Sequence, residues 1–459
     1  MKVRIIKYLE RVRSSFWFLP AIMAVGAVAL ASVTVAVDGQ VTGWLTARWG
    51  WTFSGGAEGA SSLLAAIAGS MITIAGVVFS MTLVALSLAS SQLGPRLLRV
   101  LMRDTTNQVA LGTFVATFLY CLLVLRTVRR ADEVAFVPHL SVAVSVVLAV
   151  VSMGVLIYFI HHVSLSIQAN QMVARVGREL LEGVERQFPE RAEQEAPGIP
   201  KIAPDVDFLD ALEREARPVG SAEDGYLQLI DDDALMELAV KEGVVIKLER
   251  RPGDYVVLDR PLVLVWPGSK LTDRLIERVD SAFSTDNQRT STQDIEFVVN
   301  ELVEIAIRAL SPSVNDPFTA VTCVDRLGSA LCRLAQREMP SQYRYDTEGQ
   351  LRVIAPTITF SEITDAAFDQ IRQYGRSSFA VTVRLLETIA LVAGYAHRPE
   401  DRAALQRHAT MILRGASEGL PEPEDRRVVE EHYRTVSRLC AESTIGGDRD
   451  RRTNTARPE

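Results

Sequence analysis

From Gly59 to Gly94 the sequence is one long hydrophobic run whose hydrophilic and minimal side chains recur on a single helical face. Ser62, Gly69, Thr73, Gly76, Ser80, Ser87 and Gly94 follow one another at steps of three, four or seven, the spacing that stacks residues along one side of an α-helix. At 1.5 Å per residue the run reaches roughly 54 Å, well beyond a ~30 Å hydrocarbon core, so it spans a bilayer and projects from it. A small-and-hydroxyl stripe in lipid implies either close packing against a neighbouring helix or the wall of a wet pathway. Small-xxx-small pairs such as Gly69/Thr73 and Gly76/Ser80 suit the first reading, and the persistence of the stripe across the whole span suits the second.

Length and composition fit a two-part protein: 459 residues, 48% hydrophobic, with the apolar residues concentrated before about position 165. Four segments meet the length expected of membrane helices, namely Phe16–Val37, Gly59–Ala89, Val109–Leu125 and Val142–Ile160, the third being the shortest. A cleaved signal peptide is the competing reading of the first, since Ala29 and Ala31 resemble a cleavage site, but the apolar stretch is longer than a typical signal core. Lys2, Arg4, Lys7, Arg11 and Arg13 precede the first span and Arg96, Arg99 and Arg103 follow the second, whereas the first connection carries only Arg48. The bias places both termini in the cytoplasm of a bacterial inner-membrane protein. Arg126, Arg129 and Arg130 then fall on the outer side, against the rule, where a vestibule would accommodate them.

The four cysteines, Cys121, Cys323, Cys332 and Cys440, form no CxxC pair, so neither a disulfide framework nor structural zinc is expected. A net charge of −7 argues against nucleic acid as the main partner. P-loop, Rossmann and H-E-x-x-H patterns are missing from the sequence. Gly415–Gly419 matches G-x-S-x-G but follows a helical pattern, where a nucleophile elbow requires a strand before the turn. No catalytic residue, cofactor or metal is therefore assigned. The row Asp294, Glu301 and Glu304, beside Arg308, reads as a solvated, self-paired helix face rather than a cation site.

Apolar positions Val163, Ile167, Met172, Val176, Leu180 and Val184 carry the fourth span onward as a helical extension over residues 166–188. A Glu-, Ala- and Pro-rich linker covers 189–205. Residues 206–269 then read as a small α+β module: a helix over Phe208–Ala216, strands at Gly225–Ile230, Val244–Leu248, Tyr255–Leu258 and Pro261–Trp266, and a helix from Asp231. The turn Pro252-Gly253-Asp254 resembles those of barrel-sandwich carriers, without their modifiable lysine hairpin. Residues 270–441 are mostly helical. Thr292–Leu310 is the clearest helix, Asp316 and Pro317 cap and open the next one, Val353–Phe360 reads as an isolated extended segment, and 442–459 as a disordered tail. The fold class is mainly α, a four-helix transmembrane domain of residues 1–165 followed by a cytoplasmic α+β region.

The segments Ala89-Ser90-Ser91-Gln92-Leu93-Gly94-Pro95-Arg96, Ile160-His161-His162-Val163-Ser164 and Ala309-Leu310-Ser311-Pro312-Ser313-Val314-Asn315-Asp316-Pro317-Phe318-Thr319-Ala320 stand out as motifs. Together they resemble a bacterial predicted-membrane-protein family, domain of unknown function 2254. The resemblance extends over nearly the whole chain and implies this domain order without assigning an activity. Members usually carry a glycine where this chain has Ser313, so a left-handed backbone is not expected there.

The expected function is an oligomeric, channel-like membrane protein. The stripe from Ser62 to Gly94 lines an ion pathway, Arg96 and Arg99 form an inner charge ring, and the cytoplasmic part gates the path or senses a small ligand or ion. His161 and His162, at the end of the fourth span, act as interfacial anchors or as a pH-sensing hinge, and Ser311, Asn315, Asp316 and Pro317 form a structural turn. The alternative is a membrane-anchored sensory or scaffolding protein without transport.

Overall fold

The computed structural model describes residues 17–40, 56–93, 104–129, 136–166, 169–190 and 204–441. Gly94, Arg96, Arg99, the N-terminal basic residues, most of the 189–205 stretch and the 442–459 tail lie outside the described residues. The chain divides into two compact units, one from Tyr8 to Gln171 and one from Met172 onward.

Four helices build the first unit: α1 (Phe18–Gln40), α2 (Ala57–Leu93), α3 (Thr105–Thr127) and α4 (His139–Ser166). All four are long and apolar enough to cross a membrane. The third, predicted as the shortest, is a 23-residue helix and the most enclosed, with half of its apolar window buried against 22% in each of the others. That enclosure explains how α3 tolerates Gln108, Thr117 and Tyr120, all buried, among its apolar residues. Asp104 starts the helix, its carboxylate accepting a hydrogen bond from the Thr106 N–H at 3.0 Å.

Small residues on two helices meet large ones on the others. Ala27 and Ala31 of α1 and Ala60, Ala68 and Ala75 of α2 pack around Phe114, Tyr120 and Val124 of α3 and Phe159 of α4. Without a water-driven hydrophobic effect between lipid-immersed helices, such close fitting is the main source of association. Gly112 marks the tightest approach, because a Cβ there would sit 2.6 Å from Met23 Sδ and 3.2 Å from the Pro20 Cα.

The second unit begins with α5 (Ala169–Gln187), whose face of Met172, Val173, Val176, Leu180 and Val184 is buried. The sequence periodicity of the predicted extension therefore reflects packing inside the core of the second unit. Arg326 lies against Gly177, where a Cβ would come within 2.9 Å of its Cδ, and Arg337 donates to the Glu185 carbonyl oxygen at 3.3 Å. Helix α6 (Val206–Glu215) follows, then strands β1 (Arg217–Gly220) and β2 (Gly225–Ile230) and helix α7 (Asp232–Glu242), capped by Asp231 and closed by Gly243 at φ 63°. Strands β3 (Val245–Leu248), β4 (Tyr255–Val256) and β5 (Pro261–Trp266), helix α8 (Asp273–Asp280) and strand β6 (Phe283–Asp286) complete this stretch.

Helices α9 (Ile295–Ala309) and α10 (Pro317–Ala335) come next, then strands β7 (Tyr343–Tyr345) and β8 (Leu351–Ile354), and helices α11 (Phe360–Tyr374), α12 (Phe379–Ala393), α13 (Pro399–Gly419) and α14 (Pro423–Ala441). One sheet has the order β1-β5-β3-β8-β7 and the other β4-β2-β6. The segment expected as an isolated strand near Val353 is instead paired on both sides, parallel to β3 through Ile246 and Val353 and antiparallel to β7. Its alternation is too short to announce a partner a hundred residues away. At the start of α11, Thr359 and Glu362 form a reciprocal capping box.

Of the acidic row, Glu304 is half-buried and pairs with Arg308 at 3.9 Å as expected, but the other two members are enclosed and not solvated. Asp294 is 4% exposed, caps the helix through the Phe297 N–H at 3.0 Å and is held by Arg289 at 2.6 Å. Glu301 is 3% exposed. Helical spacing sets both residues at the border of the apolar stripe, roughly 80–100° from its centre at 100° per residue, and layers covering α9 on more than one side enclose that flank as well.

Candidate functional site

On α2 the buried positions are Ala60, Ser61, Leu64, Ala68, Met71, Ala75, Val78 and Thr82. At about 100° per residue their mean direction lies roughly 150° from that of Ser62, Gly69, Thr73, Gly76, Ser80 and Ser87. All six of those stripe residues are exposed. A Cβ added at Gly69 or Gly76 would meet nothing within 4 Å. The stripe thus points away from its own bundle, and among the described residues no helix packs against Gly69 or Gly76. Phe79 and Met81, each more than two-fifths exposed, flank it on either side. The Thr73 hydroxyl donates to the Gly69 carbonyl oxygen at 2.8 Å, satisfying itself within the helix.

Polar groups inside the bundle are joined to one another. Asp38, near the end of α1, accepts from the Leu140 N–H, the Ser141 N–H and the Ser141 hydroxyl at 2.9, 2.9 and 2.7 Å. A carboxylate on the first free N–H groups of α4 answers both their orphan donors and the positive end of the helix. Tyr120 OH donates to the Ser141 carbonyl oxygen at 3.1 Å and lies 3.0 Å from the Thr34 hydroxyl, while Thr117 meets Ser152 at 3.1 Å. These contacts tie α1, α3 and α4 together across the bundle interior, where each hydrogen bond has little water to compete with it.

Of the histidine pair, His161 is exposed and His162 is not. His162 Nε2 lies 2.8 Å from Asp104 Oδ2, and its ring stacks on Tyr158 at 6.0 Å. The same carboxylate that caps α3 is therefore bound to the end of α4. The sequence marked His162 as a candidate but gave it no partner, because 58 residues separate it from Asp104. Asp38 was missed altogether, although its signal was legible: an acidic side chain at the end of an apolar span.

In the second unit, Ser311, Asn315, Asp316 and Pro317 form the turn between α9 and α10. Asn315 N–H donates to the Ser311 carbonyl oxygen at 2.9 Å, Asp316 caps α10 through the Thr319 N–H at 3.1 Å, and Pro317 opens the helix. The left-handed residue is Asn315, with φ 49°, and not the position of Ser313. The Gly415–Gly419 pattern lies in the last turns of α13, where the Ser417 hydroxyl donates to the Arg414 carbonyl oxygen at 2.7 Å. Among the described residues no group of three or more His, Cys, Asp or Glu side chains is arranged to hold a metal ion.

A family model described as "Predicted membrane protein (DUF2254)" matches residues 13–390. The chain is similar to the uncharacterized protein Rv1290c of Mycobacterium tuberculosis (strain H37Rv), with 33% identity over 433 residues covering 92% of this chain and 80% of the relative. It is similar to the same extent to the uncharacterized protein Mb1321c of Mycobacterium bovis. No solved structure matches the chain.

Proposed function

Because the chain belongs to the DUF2254 family of predicted membrane proteins, we propose that it works as an oligomeric, channel-like protein of the bacterial inner membrane, with α2 helices from several copies facing a shared pathway. The observation that carries this reading is the azimuth of the stripe, which α2 turns away from its own bundle while alanines fill the inner side. Hydroxyls and glycines so placed suit a partner backbone or water better than lipid tails. The bonded interior of each bundle supports locating the pathway between copies rather than within one. Both termini then lie in the cytoplasm, Arg96 and Arg99 form the inner charge ring, and the soluble unit gates or senses without catalysing a reaction.

Cysteines placed at Thr73, Ser80 and Ser87 in the membrane-embedded protein should react with water-soluble thiol reagents, while those at Phe79 and Met81 stay inert. Purified protein in liposomes should carry an ion flux that those modifications block. Equal reactivity on both faces would defeat the pathway.

One observation favours the second reading, a sensory or scaffolding protein without transport: the Thr73 hydroxyl is already satisfied by its own helix, so the stripe can pack dry. That reading expects disulfide cross-linking between copies at Gly69 and Gly76 together with no flux.

A further inference from the structure

The soluble unit contains a cavity of about 550 Å³, within the usual range of small-molecule sites. Its wall is assembled from the end of α5, the loops beside β2 and β3, the approach to α9 and the segment after β8. Four arginines and three acids line it, and the pairing among them decides its character. Arg344 is held by Asp232 at 2.7 Å, and Arg251 by Glu362 at 3.0 Å and Glu296 at 3.4 Å. Asp294 is committed to Arg289 and to the first turn of α9. Those charges offset one another.

Two cations remain. Arg186 donates to the Ser291 carbonyl oxygen at 3.2 Å and meets no carboxylate among the described residues. Arg250 is exposed and makes neither a hydrogen bond nor an ion pair with any described residue. Beside Arg186, the terminal amide nitrogen of Gln187 is buried with no hydrogen-bond partner among the described residues. A buried donor left unmade costs free energy that an incoming acceptor oxygen would recover. The remaining wall is mostly apolar, with Ile230, Leu248 and Ile358 among its residues and Thr292, Gln293 and Thr357 as its polar members.

From this juxtaposition we infer that the cavity binds a small organic anion, an oxyanion head of the phosphate or carboxylate class carried on a compact apolar body. The planar guanidinium forks of Arg186 and Arg250 grip the head, the Gln187 amide donates to it, and the isoleucine and leucine side chains cover the body. Arg186 and Gln187 end α5, so the occupant would tie the last turn of that helix to the β-rich part of the unit. This concerns the soluble unit alone and stands whether or not the α2 stripe conducts.

The test uses the full-length protein in detergent, with thermal unfolding followed as phenyl phosphate, benzoate or inorganic phosphate is added. Phenyl phosphate or benzoate should raise the melting temperature in a saturable way, and whichever does so more strongly identifies the head group. Arg250→Ala, which removes a side chain without bonds, should leave the unliganded melting temperature unchanged and weaken apparent affinity about tenfold, a loss of one charge-assisted contact. Arg186→Ala should weaken apparent affinity to a similar extent, with a small drop in the unliganded melting temperature from the lost contact to Ser291. The proposal falls if none of the three probes stabilises the protein, if stabilisation survives undiminished in both arginine variants, or if inorganic phosphate binds as tightly as phenyl phosphate.

Discussion

The bundle of α1–α4 and the unit from Met172 onward, which has none of the four candidate spans, both bury large aromatic side chains completely, yet burial rests on different physics in the two places. Phe368 of α11 is removed from water, whereas Phe114 of α3 is removed only from lipid. Folding of the soluble unit gains the transfer of apolar surface out of water. The bundle gains close contact and its hydrogen-bonded polar pairs. This contrast accounts for the alanine-rich faces of α1 and α2, which bring backbones together, and for the Leu, Ile, Val and Phe filling of α9–α14.

The strongest way to break that comparison is to make one substitution in both regions. Phe368→Ala should cost about 3–5 kcal/mol through lost transfer energy and the cavity left behind. Phe114→Ala should cost roughly 1–2 kcal/mol, since only the packing part applies in lipid. Equal losses in chemical or thermal unfolding would show that the two interiors are not distinct. Next in size is Asp38→Ala, which takes three acceptor contacts from the start of α4. A loss of about 3 kcal/mol is expected, read as a lower melting temperature in detergent.

A smaller effect sharpens the contrast through pH. Burial holds the His408 imidazole below its usual value, against the raising influence of Asp365 at 2.6 Å and of Asp369, with Arg407 adding to the lowering. The folded state thus binds this proton less readily than the unfolded chain. The contribution of His408 is fully present above about pH 6.5 and is lost as pH falls through that value toward the depressed one. Melting temperatures of the native protein and of His408→Gln should diverge in slope below that pH, and parallel curves would refute the assignment. The smallest change in stability is expected for Gly69→Leu. The added side chain meets open space within the chain, so monomer stability should shift by no more than about 0.5 kcal/mol. Association between copies should weaken, as measured by cross-linking in membranes.

What the residues disclosed beforehand follows the same division. Four spans, the cap Asp316, the helix starting at Asp231 and the strands at Gly225–Ile230 and Pro261–Trp266 were readable because each is set by local spacing or by one capping side chain, whereas the capping role of Asp294 was not read. Features that depend on distant partners were not. The pairing of β8 with β3, the enclosure of Glu301, and the meeting of His162 with Asp104 are decided by tertiary packing. The stripe on α2 was legible as a pattern, but its direction was not, since periodicity fixes relative azimuth and leaves open which side the neighbours occupy. The arginines of the soluble cavity had no visible grouping, coming from segments more than 150 residues apart in the case of Arg186 and Arg344.

The link from Asp38 to the start of α4 has a bearing on biogenesis. The acceptor is synthesised at the close of the first span and its donors only at the opening of the last, so this latch cannot shut until the ribosome has delivered all four. A chain halted after α3 would leave that carboxylate without those three donors, so the contact can form only once the first and the last span are both present.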